Sequence, residues 1–310
     1  MNATNWFVVC TTAMLSLAVT ASAQQTNAQT GAYKIQETRL GPMDAMMMGA
    51  VFSRDGCHLA YITTRGRKRW VVVDGQAGAE YDRIAQGSLI FSADGNRVAY
   101  AAQKGAKWLV VVDGQAGAEY DDIGEGDPIF SADGNRVAYA AQKGAKWLLV
   151  VDGQAGAEYD AIGHGARIFS ADGNRVAYAA QKGAKWLVVV DRQAGAEYHV
   201  IGQGLTFSAD GKRVAYAAQK GAKWLVVVDG QAGAEYDEIT QGSPIFSADG
   251  KRVAYWAKKG AKQVVVVDGQ ASPEYDGIGK NGPTFHSDGV LEYLAIKDKS
   301  FYRVKHVPVR

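Results

Sequence analysis

Five histidines are the first residues to weigh for chemistry: His58, His164, His199, His286 and His306. Each stands once, in its own context, with no second ligand at metal-binding spacing, so they read as surface or turn residues. Nucleophile elbow, H-E-x-x-H and phosphate-loop patterns are absent from the sequence. The adjacent carboxylates Asp121 and Asp122 suggest acid–base work or calcium. Asp121, however, recurs in nearly every copy of a repeat, whereas a catalytic pair is needed once. Asp94 and Asp113 precede glycines, where a turn asks for Asp on backbone grounds; calcium at such turns is the alternative. Met43, Met46, Met47 and Met48 form a thioether cluster of the kind that holds soft copper, but filling a core is the favoured role. Trp70, Trp108, Trp147, Trp186 and Trp224 recur in phase. They could stack sugars, but packing at one end of a structural unit is the favoured reading. No catalytic motif and no cofactor are implied, so the residues favour binding over catalysis.

The chain of 310 residues is 47% hydrophobic and 21% charged, with a formal net charge of +2. That balance gives no reason to expect nucleic acid as a partner. Residues 6–20 are apolar and Ala21-Ser22-Ala23 is a small-residue cleavage site, although no Lys or Arg precedes the run. Residues 1–23 are therefore expected to be a signal peptide, and 24–32 a linker to a domain at 33–310. A retained anchor is the alternative. The mature protein is then periplasmic or secreted, with no membrane span. Cys57 remains alone and cannot form an internal disulfide.

From Phe52 onward the sequence repeats at a period of about 39 residues. Copies begin near 52, 91, 130, 169, 207, 246 and 285, and 91–129 differs from 130–168 at five positions. Within a copy, Val-Ala-Tyr-Ala-Ala and Trp-Leu-Val-Val-Val runs read as buried strands. Asp94-Gly95, Lys104-Gly105 and Asp113-Gly114 read as the turns between them. In the second copy four strands are expected at 89–92, 97–103, 107–113 and 118–123. Four antiparallel strands per unit of this length make a propeller blade whose faces neighbours must cover. The expectation is an all-β, seven-bladed β-propeller. Its last blade lacks a fourth strand, and 33–40 is expected to close the ring beside 301–307.

The Ser-Ala-Asp-Gly-Asn-Arg-Val-Ala-Tyr element at 92–100, repeated at 131, 170, 208 and 247, resembles the core of TolB-type, WD40-like repeats. Ala93 stands where that family has Pro, and TolB's extra N-terminal domain has no counterpart. The resemblance implies a propeller of the bacterial envelope that binds proteins or peptides.

The copies differ mostly at 83–90, 122–129, 161–168, 200–206, 238–245 and 277–284. Read as loops around a channel mouth, these segments place Gln86, Glu125, His164, Gln203, Gln241 and Lys280 at matching positions, with Asp127, Arg167 and Ser243 nearby. They are the candidate ligand-binding residues; drift in tolerant loops is the plain alternative. Lys104, Lys107, Lys143, Lys146, Lys182, Lys185, Lys220 and Lys223 would form a basic rim on the same face, attracting an anionic ligand that salt would screen. The expected partner of this monomer is a protein or peptide. A glycan, including an anionic one, is the alternative, and a propeller-type hydrolase a more distant one.

Overall fold

The computed structural model describes residues 27–30, 33–38, 40, 48–126, 128–202, 204–240 and 242–307; of 27–35 and 164–167 it describes only the backbone. All regular structure among them is β-strand. Seven antiparallel sheets of blade type follow one another along the chain, as the repeats predict. Contacts divide the chain into two compact units, 1–129 and 130–310.

The first unit holds two blade sheets. The second of them shows why these residues fold this way. Val98–Lys104 and Lys107–Val112 form a hairpin in which Gln103 faces Trp108, Ala102 faces Leu109 and Tyr100 faces Val111. Val98, Ala99, Tyr100, Ala101 and Ala102 are all buried, so the strand is covered on both faces. Burying each Val or Leu this way contributes about 1.5–3 kcal/mol. Alanines opposite large residues leave room for the neighbouring sheet's side chains.

The turns are set by side chains as well as by glycine. Asp113 takes a left-handed φ of 50° and Gly114 follows at 76°, the backbone of a two-residue hairpin turn. The Asp113 carboxylate then accepts the Val98 N–H at 2.9 Å and the Arg97 Nε–H at 2.8 Å. In the preceding turn Ser92 Oγ donates to Asp94 at 2.5 Å and accepts the Arg97 N–H at 3.0 Å. The recurring Asp residues are therefore backbone clamps.

Five sheets make up the second unit. The fourth runs Ala161–Phe169, Val176–Lys182, Lys185–Val190 and Gln193–Ala194, in that order; the others of this unit split the first strand in two. Sheets meet through tyrosines packed edge to face, such as Tyr159 and Tyr178 with ring centres 6.3 Å apart. They meet also through Arg136, which pairs with Asp152, lies over the Phe169 ring at 5.4 Å and donates to the Asn174 carbonyl at 2.8 Å. Gly173 has a left-handed φ of 71°, and a Cβ there would sit 2.6 Å from the Asp133 carboxylate. Only glycine fits this approach of one sheet to the next.

Two expectations are corrected. Residues 33–36 do not pair beside 301–307: Tyr33–Gln36 pairs with Asn27–Thr30, a local hairpin with a small loop to close. Ser300–His306 pairs with Leu291–Lys297, and exposed Leu294, Ile296 and Phe301 stand on that last sheet. The fourth strand is also shorter than expected. It is Gln115–Ala116 in the second sheet, extended by the Trp108–Tyr120 bridge. The segment that follows a copy's tyrosine belongs to the next sheet: Arg83–Ile84 pairs with Val98–Lys104.

Candidate ligand-binding bulges

This reassignment changes the nature of the variable segments. They are the first, edge strands of the sheets, each broken by a bulge. In the second sheet Ile84 faces Ala102 and Ile90 faces Ala99; Ala85 still donates to the Ala101 carbonyl at 2.9 Å, and 86–89 leave the ladder. Ser88, buried in the bulge, repairs the gap by accepting the Ala101 N–H at 3.1 Å and donating to the Ala85 carbonyl at 2.8 Å. In the fourth sheet Ile162 faces Ala180 and Arg167 faces Tyr178, so four residues lie opposite one. In the sixth, Ser243 takes the role of Ser88, accepting the Trp256 N–H at 3.4 Å. The strand must bulge here because its flanking isoleucines are pinned while the chain between them has residues to spare.

Gln86, Glu125 and Lys280 are exposed on three such bulges. Lys280 lies at a cleft of about 380 Å3 bordered by Thr284, His286, Glu292 and Leu294. Asp127, Gln203, Gln241 and the side chains of His164 and Arg167 lie outside the described residues.

The lysines do not form a bare basic rim. Lys107 is 2.5 Å from Asp121, Lys146 is 2.5 Å from Asp160, and Lys223 pairs with Asp237. Lys143, Lys182 and Lys220 lie 3.9, 3.7 and 3.7 Å from Glu158, Glu197 and Glu235. Lys104 and Lys185 have no carboxylate partner among the described residues. Most of these lysines are thus paired, Lys107, Lys146 and Lys223 with an aspartate at the start of the following sheet and Lys143, Lys182 and Lys220 with a glutamate of their own copy. The Lys146 ammonium and the Gly183 N–H together hold the Asp160 carboxyl below its ordinary range.

His199 takes the place of that aspartate in the fourth repeat. Its Nδ1 accepts the Gly221 N–H at 2.9 Å and its Nε2 lies 2.6 Å from Lys185 Nζ. Sequence reasoning missed this latch, although its signal was present: Asp follows the tyrosine of most copies, fourteen residues after a lysine.

The tryptophans are half-buried wedges. A Cβ on Gly202 would come 3.0 Å from the Trp224 ring, and one on Gly282 would come 2.8 Å from Trp256. These two rings thus lie close against bulge backbone, as packing requires. Met48 is exposed on a strand, while Met43, Met46 and Met47 fall outside the described residues. His58 pairs with Asp74 at 2.6 Å, and His286 lies 3.6 Å from Glu292. His306 lies 3.2 Å from the Tyr293 hydroxyl, and burial pushes its pKa down.

Solved structures overlap this chain at low identity. The overlaps include β-propellers. TolB from Acinetobacter baumannii is 16% identical over 72% of this chain and 61% of its own, with a TM-score of 0.32. The β-propeller domain of the Trilobed protease from Pyrococcus furiosus is 13% identical over 84% and 96%, with a TM-score of 0.35. A eukaryotic initiation factor is 12% identical over 88% and 78%, with a TM-score of 0.43. No protein-family profile matches the chain, and no curated protein matches it. It is the seven antiparallel sheets themselves that make the protein a blade-built, all-β chain. Among the described residues no helix is long and apolar enough to cross a membrane.

Proposed function

We propose that the protein is an exported, non-enzymatic binding module or scaffold, akin to TolB-type envelope propellers, that engages a protein or peptide through its first-strand bulges. One observation carries this reading. The framework of each sheet is nearly constant, whereas the bulge tips described as exposed carry unlike residues, Gln86, Glu125 and Lys280. Rigid strands that present varied side chains on short excursions are a suitable basis for recognition. Residues 1–23 act as the leader and 33–310 as a single domain. The protein is a monomer of the periplasm or exterior.

The test uses the protein's own commonest residue at these positions. Glu125→Gln, His164→Gln and Lys280→Gln together give every bulge the Gln of positions 86, 203 and 241. This variant should fold normally and lose a partner that the wild-type chain captures from envelope extract. Equal capture by the uniform variant would overturn the reading. A partner lost instead on removing the tryptophans and identified as a polysaccharide would favour glycan binding.

A further inference from the structure

A second feature breaks the repeat, away from the bulges. The turn between strands three and four is Asp-Gly in most copies, with the glycine at a left-handed φ: Gly75, Gly114, Gly153, Gly230 and Gly269. In the fourth sheet it is Asp191-Arg192, and Arg192 holds φ at 70°. A residue with a Cβ is disfavoured in that conformation, and glycine is not. The copy therefore carries a steric cost that its siblings avoid.

What Arg192 gains is position. It borders a cleft of about 340 Å3 between the third and fourth sheets, where Arg136, Arg175 and Tyr178 also stand over Leu149 and Val151. The other two arginines are already committed. Arg136 pairs with Asp152 and donates to the Asn174 carbonyl. Arg175 pairs with Asp191 at 2.7 Å and donates to the Lys212 carbonyl at 2.6 Å. Arg192 is exposed and makes no ion pair among the described residues. A guanidinium presents a fork of donors that matches a carboxylate. Leu149 and Val151 are buried beneath the cleft, whose accessible apolar surface comes from Gly156 and the arginine stems.

We propose that this cleft binds a carboxylate with an apolar body, the anion on Arg192 and the body lying in the cleft beside Gly156 and the aliphatic stems of Arg136 and Arg175. The free C-terminus of an extended peptide and a small free organic acid share that chemistry. The site is independent of the bulges, so the uniform-bulge variant should retain it.

The test is calorimetric titration with three probes: acetyl-Leu-Phe as the free acid, the same dipeptide as its C-terminal amide, and 4-phenylbutanoate. Arg192→Gly restores the turn used by the other copies, so its melting temperature should equal or exceed that of the wild type. Against this folded variant the acid should bind roughly tenfold or more weakly, as should the amide against wild type, because each lacks one half of the charge-assisted pair. Conversely, Gly230→Arg should create a second acid site and double the stoichiometry. Tighter binding of the peptide acid identifies a chain terminus as the ligand; equal or tighter binding of 4-phenylbutanoate identifies a free acid. Equal binding of acid and amide overturns the proposal. So does undiminished binding by Arg192→Gly, or no binding of either acid at millimolar concentration.

Discussion

The carboxylate of Asp82 accepts the backbone N–H of Gly105 at 2.7 Å, which holds the hairpin tip of the second sheet to the start of that sheet's first strand. Lys68 donates to the other oxygen of the same carboxylate at 2.7 Å. The arrangement recurs as Asp160 on Gly183 at 2.7 Å, Asp237 on Gly260 at 2.6 Å and Asp276 on the Asp298 N–H at 2.9 Å. Asp160→Asn should thus speed amide exchange at Gly183 more than at Gly260, whose latch is intact. Equal protection before and after substitution would count against the latch.

Acid should undo these latches together. Lysine hydrogen bonds first, and backbone N–H groups second, hold Asp82, Asp160, Asp237 and Asp276 below their ordinary carboxyl values. A carboxyl whose folded pKa is depressed binds fewer protons folded than unfolded. Its contribution is complete above the unfolded value near pH 4 and is lost as pH falls through the lower folded value. Thermal melts should be flat in this respect from pH 7 to about 5 and decline below about 4. A decline that is unchanged when all four are Asn would assign acid sensitivity elsewhere.

The latch built on His199 is the imperfect one. A neutral imidazole accepts at one nitrogen only, yet both the Gly221 N–H and the Lys185 ammonium face this ring. A carboxylate accepts from both. His199→Asp should therefore raise the melting temperature and slow exchange at Gly221. A lower melting temperature would mean the histidine is the better partner.

Two glycines separate backbone strain from crowding. Gly105 has φ of 62° with nothing near its missing Cβ, whereas Gly173 at 71° would place a Cβ against Asp133. Gly105→Ala should cost about 1 kcal/mol for the left-handed backbone alone. Gly173→Ala adds a clash and should cost roughly 2 kcal/mol or more, read from urea unfolding. Similar costs would show that the sheets separate easily.

The core offers the largest effect. Leu225 is 2% exposed and packs in a cluster with Tyr198, Val214 and Tyr216. Leu225→Ala should destabilise by about 2–5 kcal/mol. A loss under about 1 kcal/mol would mean that the cavity collapses.

The two long strands of each sheet were legible because their β-branched and alternating small residues span six or seven positions between glycine turns. The boundary between sheets was not. Arg83–Ile84 and Ile90–Phe91 are two-residue strands with no periodicity to read. Their allegiance is decided by distant bonds such as the Asp82 N–H to the Gln103 carbonyl at 2.8 Å. The same blindness turned bulges into loops and left the lysines looking unpaired, since each carboxylate partner follows fourteen or fifteen residues later. The Arg192 substitution was visible in the sequence, but its cleft needs the neighbouring sheet.

Each sequence copy surrenders its last residues to the sheet of the copy that follows. Copy and sheet are thus out of step by one strand, and within the second unit the junctions between copies share one hydrogen-bonded pattern, with His199 the variant. Deleting or duplicating one whole copy leaves a seam of the same pattern behind. Unequal crossing-over within such a gene can lengthen or shorten the protein by complete sheets without creating a novel joint, and the near-identity of the central copies is what a recent history of that kind would leave.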